Sequence, residues 1–364
     1  MTRLVATYTV RSDARSIEAR AGMIALEQSV ELPLEVVDDA RVKDEIVGRI
    51  EAIEDRGGGL FRVRIALAAS TTGYEAGQLF NMLFGNTSIH DDVTLEDAAL
   101  PGDLIAAFGG PRQGLAGLRR RAGAGQRALT CAALKPQGLP TAALAGIAGR
   151  LAAGGVDFIK DDHGLADQAY SPFAERVAAC AAAVREANRA GGGRTSYLPS
   201  LSGDLDRLRQ QVGLARDEGL DAVLVAPMVL GLPAFHALVR DNPEIAFMAH
   251  PAMAGASRIA PPLLLGRLFR LLGADATVFP NHGGRFGYTE ETCRRLAEAA
   301  RGAWAGLAPC APVPAGGMAL ARVPEMLDFY GPDTIFLIGG NLLAARERLT
   351  EETRAFVRRA AGGA

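Results

Sequence analysis

Residues 156–163 read VDFIKDDH, an apolar run that passes without a turn into a lysine, two aspartates and a histidine. Such a run is the length of a buried strand, and its charged end must face something. The same figure recurs along the chain. The runs are ALTCAAL (128–134), VDFIK (156–160), TSYLPS (195–200), DAVLVAP (221–227), EIAFMAH (244–250), ATVFP (276–280), CAPVPAGG (310–317) and TIFLIGG (334–340). Helix-like stretches lie between them, such as AERVAACAAAVREANRA (174–190) and TEETCRRLAEAARGAW (289–304), where Thr289 stands at the N-cap position.

Eight apolar runs, each followed by a helix, imply parallel strands with crossover helices. Eight units in about 240 residues match the size of a (β/α)8 barrel. An open doubly wound sheet is the alternative, but it calls for GxGxxG after its first strand, and the chain has LKPQGLP there. Residues 1–122 read as a smaller α+β domain of ferredoxin-like type. YTVRS, LFRVRIALA and DLIAAFGG look like its strands; SIEARAGMIALEQSV and YEAGQLFNMLFGN look like its helices. The Gly- and Arg-rich stretch 109–127 reads as the connection to a barrel spanning 123–364.

Composition narrows the function. A formal net charge of -2 and 6% aromatic residues give no footprint for nucleic acid or an anionic membrane. No apolar run reaches the roughly 18 residues of a membrane span. Cys131, Cys180, Cys293 and Cys310 form no CxxC pair, which fits a reducing, cytoplasmic setting.

A parallel barrel places its active site at the C-terminal ends of its strands. The residues found there are Lys135, then Lys160, Asp162 and His163, then Ser200 and Ser202, then His250, then Asn281, His282 and Arg285, then Gly316 and Gly317, then Gly339, Gly340 and Asn341. Both glycine pairs follow the last two strands, where barrels bind phosphate through backbone N–H groups; tight turns into helices are the alternative. Strand alternation puts Lys160 and Asp162 on one side and Asp161 on the other. Lysine becomes an oxygen ligand for a metal only as a carbamate; otherwise the cluster is a set of ion pairs orienting the loop. His250 suits acid–base work or a structural hydrogen bond. Lys135 suits donation to an enolate oxygen or an ion pair with Asp162. His90 and His236 lie off the strand ends and are expected at the surface.

Taken in order, these segments resemble the large subunit of RuBisCO, and specifically the RuBisCO-like proteins that do not fix CO2. GGVDFIKDD resembles the metal-site motif with its carbamylated lysine, LKP the stretch with the catalytic lysine, and FMAHPAM the segment with a catalytic histidine. PVPAGGM and LIGGNLL resemble the phosphate-binding strand ends, and ALEQSV and LFGN the segments that lend a glutamate and an asparagine to a neighbouring subunit. The resemblance implies a homodimer, or a multiple of dimers, with Glu27 and Asn86 at the partner's barrel mouth. It implies Mg2+ or another divalent cation on Lys160, Asp162 and His163, and a phosphorylated small-molecule substrate, for which the strand-end residues Asn281 and Arg285 are candidate contacts. It implies Lys135 and His250 as catalytic groups.

The departures are specific. His163 stands where the carboxylating enzymes have glutamate, Gln137 where they have a second lysine, Pro251 where they have an arginine, and Ala315 where they have a serine. FPNHGGRFGY lacks the lid lysine. Carboxylation is therefore not expected. Mg2+ prefers oxygen ligands and imidazole suits transition metals, so three options stand at His163: Mg2+ with one nitrogen ligand, another divalent ion, or a base in a site without metal. The expected chemistry is enolate formation on a phosphorylated ketose or keto sugar acid. The GGRF segment suggests a decarboxylase or C–C lyase acting on a compound like 3-oxo-isoapionate 4-phosphate. Isomerase or enolase chemistry on methylthioribulose-type phosphates in methionine salvage is the alternative, and a non-catalytic regulatory relative is another.

Overall fold

A computed structural model describes residues 2–363. The chain divides into two compact units, Met1–Gly109 with Met253–Leu264, and Gly110–Ala252 with Leu265–Ala364.

The first unit carries strands β1 (Arg3–Arg11), β2 (Arg49–Asp55), β3 (Leu60–Ala68) and β4 (Val93–Ala99), joined by helices Ile17–Glu27 and Ala76–Phe84. All pairings are antiparallel and the order is β2-β3-β1-β4, a ferredoxin-like βαββαβ sheet. Strict alternation along β1 buries Leu4, Ala6, Tyr8 and Val10 on one face. Strands β2 and β4 are additions to the sequence reading. DLIAAFGG is a correction: it forms the helix Gly102–Phe108, not a strand. Its buried residues Leu104, Ile105 and Phe108 follow the helical spacing. Segment 253–264 belongs with this unit, where the Ala260 N–H donates to Leu95 O at 2.9 Å.

The second unit is the expected (β/α)8 barrel. Its strands are β5 (Leu129–Leu134), β6 (Phe158–Asp161), β7 (Ser196–Leu198), β8 (Ala222–Val225), β9 (Ala246–Ala249), β10 (Ala276–Pro280), β11 (Ala311–Ala315) and β12 (Ile335–Ile338). They pair in parallel in the orders β12-β5-β6-β7 and β8-β9-β10-β11. A parallel bridge from Ser200 to Leu224 joins β7 to β8, and β11 lies beside β12, which closes the ring. Alternate residues of the strands, among them Cys131, Phe158, Leu224, Met248 and Val313, fill its interior. Thr289 caps the helix Glu290–Arg301 by accepting the Thr292 N–H at 3.1 Å, as its position predicts.

The stretch read as a connection contains the helix Gly114–Ala122, which packs Leu115 and Leu118 into the barrel core. It lies across the N-terminal strand ends. The carboxylate of Asp275, one residue before β10, accepts the N–H groups of Gln113 (2.8 Å) and Gly114 (2.6 Å). Arg121 pairs with Asp221, one residue before β8, at 2.6 Å. That end is built for stability, which leaves the opposite mouth for chemistry. Among the described residues no helix is long and apolar enough to cross a membrane.

Candidate active site

At the C-terminal end of β6 the period-two geometry sorts three adjacent side chains. Lys160 shares the face of Phe158, which packs in the barrel interior, and is 4% exposed. Its Nζ donates to Asp161 O at 2.9 Å. Burial is the largest influence on this amine and lowers its pKa. Asp161 faces the helix layer, where Arg176 Nε (3.1 Å) and the Tyr197 hydroxyl (2.7 Å) donate to its carboxylate.

Asp162 returns to the mouth. One oxygen accepts Lys135 Nζ; the other accepts the Gly164 N–H at 3.0 Å and lies 3.2 Å from His163 Nδ1. Burial alone would raise the Asp162 pKa. The hydrogen bonds from Lys135 and Gly164 and the nearby lysine charges outweigh it and hold the carboxyl at about 2. Lys135 and Asp162 thus form the ion pair that was one of the two expected roles for Lys135.

His250 follows β9. Its ring stacks on that of His163, with centroids 4.1 Å apart and planes 12° from parallel. His250 Nδ1 accepts the Ala252 N–H at 3.2 Å, so the proton of the neutral ring sits on Nε2. His163 Nδ1 lies 3.2 Å from the Asp162 carboxylate, a placement that favours a proton on Nδ1 and a lone pair on Nε2. Burial, with Lys160 and His163 adding to it, lowers the His250 pKa to about 2; burial also lowers that of His163. The stack therefore pairs one exposed lone pair with one N–H donor.

The glycine pairs follow β11 and β12. Gly316 and Gly317 have φ of +83° and +104°, which L side chains rarely adopt. A Cβ on Gly316 would lie 2.9 Å from the Phe286 ring. Asn341 Nδ2 donates to Met318 O at 2.6 Å and ties the two turns together. Arg285 is exposed, with its guanidinium 5.3 Å from the centre of the Phe286 ring, and its backbone N–H donates to Gly316 O at 3.0 Å. Asn281 is placed differently: its side chain is buried, accepting the Tyr330 hydroxyl at 2.6 Å and pointing its NH2 at the sulfurs of Met318 and Met326. Glu27 and Asn86 belong to the first unit, where Asn86 Nδ2 donates to Glu27 Oε1 at 2.8 Å. His90 is exposed and His236 half-buried.

The metal set can be tested on its donors. Asp162 and His163 offer two, and an amine at Lys160 held by Asp161 O offers none. Among the described residues no group of three His, Cys, Asp or Glu side chains could hold a metal ion. With Lys160 as a free amine the set is too small for a hard cation that takes six oxygen ligands. Only a carbamate there would supply a third protein donor.

Two neighbours were not read from the sequence as site residues. Gln137 Nε2 lies so close to Gly164 that a Cβ there would collide with it. Arg176 is wholly buried in the stripe of Phe173, Val177, Cys180 and Val184. A charge on an apolar helical stripe was the available signal.

A family model described as the ribulose bisphosphate carboxylase large chain, catalytic domain, matches residues 114–345. The chain belongs to the RuBisCO large-chain family. It is one of the non-carboxylating RuBisCO-like proteins. The crystal structure of a RuBisCO-like protein from Rhodopseudomonas palustris superposes with a TM-score of 0.93 at 57% identity, covering 99% of this chain and 98% of that one. A Rhodospirillum rubrum protein named 5-methylthioribulose-1-phosphate isomerase is 64% identical over 363 residues, covering 100% of this chain and 97% of the relative. A Geobacillus thermodenitrificans protein named 2,3-diketo-5-methylthiopentyl-1-phosphate enolase is 33% identical over 364 residues, covering 94% of this RuBisCO-like chain and 88% of the relative. Both names belong to the methionine-salvage chemistry expected as the alternative, and neither is that of a decarboxylase.

Proposed function

We propose that this RuBisCO-like protein isomerises a pentulose monophosphate with an apolar far end, of the 5-methylthioribulose 1-phosphate type, by moving a proton through an enediolate. The observation that carries the reading is the His163–His250 stack, with its complementary free lone pair and N–H. The name of the Rhodospirillum rubrum relative supplies the substrate class.

His163 Nε2 removes a proton from a carbon beside the ketone. The C–H electron pair becomes a C–C double bond, and the carbonyl π pair moves onto oxygen. The Lys135 ammonium turns from Asp162 to donate to that oxyanion, a charge-assisted bond that is strongest in the transition state. His250 donates from Nε2 as a neutral imidazole, a role open to a histidine whose pKa lies well below neutrality. The proton on His163 then returns to the former carbonyl carbon, the hydroxyl proton of the carbon that lost its C–H passes to the oxyanion, and the carbonyl re-forms at that second carbon. No atom is gained or lost.

The glycine pairs and Arg285 hold the single phosphate in this reading. Pro251 and Ala315 stand where the resemblance puts an arginine and a serine, and they leave the far end without a charge for a second phosphate. A divalent cation held by Asp162, His163 and a carbamate on Lys160 would supply Lewis acidity, but it would occupy the His163 lone pair and so stands as an alternative to His163 acting as the base. Decarboxylation of a keto sugar acid has no comparable support from the relatives, and a regulatory role leaves the histidine stack without a purpose.

We also propose that the chain works as a homodimer that lends Glu27 and Asn86 to its partner's site. Their mutual hydrogen bond supports a joint role. The function is tested by comparing turnover of 5-methylthioribulose 1-phosphate with ribulose 1,5-bisphosphate. The expected result is isomerisation of the first and negligible reaction of the second. Equal or faster reaction of the bisphosphate overturns the reading.

A further inference from the structure

Residues 162–172 join β6 to the helix Phe173–Gly191 and carry His163. Long loops without secondary structure are normally mobile. This one is hydrogen-bonded along its length. Gln168 Nε2 donates to Gly164 O at 2.7 Å, the Ala166 N–H donates to Gln168 Oε1 at 2.8 Å, and Asp167 accepts the Phe173 N–H at 2.7 Å.

Beneath the loop lies Arg176, 0% exposed. Its Nη1 donates to Ser171 O at 2.7 Å and its Nη2 to Ala166 O at 2.8 Å, while Nε donates to Asp161 Oδ2 at 3.1 Å. One planar fork thus grips the end of the strand, the middle of the loop and its last turn. Asp161 is held from the other side by the Tyr197 hydroxyl (2.7 Å) and the Ser200 N–H (3.1 Å), and its own carbonyl receives Lys160 Nζ (2.9 Å). Buried ion pairs are seldom more stabilising than apolar residues of the same volume, so stability is a weak reason for this one.

We propose that Arg176 is a positioning residue: through Asp161 and the two loop carbonyls it sets the loop so that His163 lies against His250. Lysine at 176 keeps the charge but cannot reach three acceptors at fixed angles. The residue touches no reacting atom and acts only through His163.

Two measurements test this on the full chain, and the kinetic one rests on the function proposed above. In 15N-histidine NMR, which needs no substrate, the wild type should show the Nδ1–H tautomer for His163, and R176K should lose it. In turnover of 5-methylthioribulose 1-phosphate, R176K should lower kcat by about 10- to 100-fold with KM little changed. In an H163Q background the same change should cost less than about twofold, since coupled sites are not additive. Y197F removes one bond to Asp161 and serves if R176K fails to fold; it should show a smaller loss of the same kind. An unchanged His163 signal in folded R176K or Y197F, or an equal kcat loss with and without His163, overturns the proposal. A wild type inert toward this substrate counts against the proposed function, and the NMR result still decides the role of Arg176.

Discussion

The ring of His163 lies 4.1 Å from that of His250 and 12° from parallel with it. Their neighbours favour ring protons on different nitrogens, Nδ1 of His163 beside the Asp162 carboxylate and Nε2 of His250, whose Nδ1 accepts the Ala252 N–H. Glutamine at either position keeps much of the volume but not the acid–base capacity. H163Q and H250Q should each lower kcat by about 10²- to 10⁴-fold while changing KM far less. Steady-state kinetics check this, and full turnover by either variant removes that ring from the mechanism.

Acid stability follows from the burial of His250, whose pKa is about 2 against 6.5 for the free side chain. The unfolded chain then binds a proton at this position that the folded chain does not. Its contribution to stability is complete above pH 6.5 and is lost as pH falls from there toward 2. Asp162, at about 2, stays ionised through most of that window. Urea denaturation at pH 7.5 and pH 5 should show a loss of stability that H250Q reduces. An equal loss in both chains would show that His250 is not the group responsible.

The metal question turns on Lys160. Calorimetric titration with Mg2+ should give little binding without bicarbonate, because Asp162 and His163 alone are too few donors for the ion. If a carbamate forms, bicarbonate should restore binding to the wild type and not to K160A. H163E adds an oxygen ligand and should tighten Mg2+ binding in bicarbonate. Binding by K160A equal to that of the wild type would place the ion elsewhere.

Why some of this was legible and some was not has physical reasons. The barrel strands are buried on both faces and read as continuous apolar runs, so VDFIK and TIFLIGG announce themselves. Strand β2, RIEAIED, lies at a sheet edge with no buried residue, and its charges hide it. DLIAAFGG misleads because a short apolar run suits either structure until its spacing is read. At the site, the sides taken by Lys160 and Asp162 follow from alternation alone. The His163–His250 stack does not, because it depends on ring closure between strands far apart in sequence. Asn281 looked available at a strand end, yet Tyr330 and two methionines consume its amide.

The proposed dimer predicts complementation. E27A and K135A should each be nearly inactive alone. After unfolding and refolding together in equal amounts, activity should recover to about a quarter of wild type, because half of the dimers are mixed and each has one intact site. Activity assays on the mixture check this, and no recovery in verified mixed dimers would place Glu27 outside a shared site.

The central claim is proton transfer within a methylthio-pentulose phosphate, and NMR of 5-methylthioribulose 1-phosphate incubated with the protein in D2O tests it most directly. The expected result is an isomeric phosphate formed without CO2, changed only at the ketone carbon and the hydroxyl-bearing carbon beside it, and absent with H163Q. Substrate recovered with every C–H intact, or release of CO2, would contradict it.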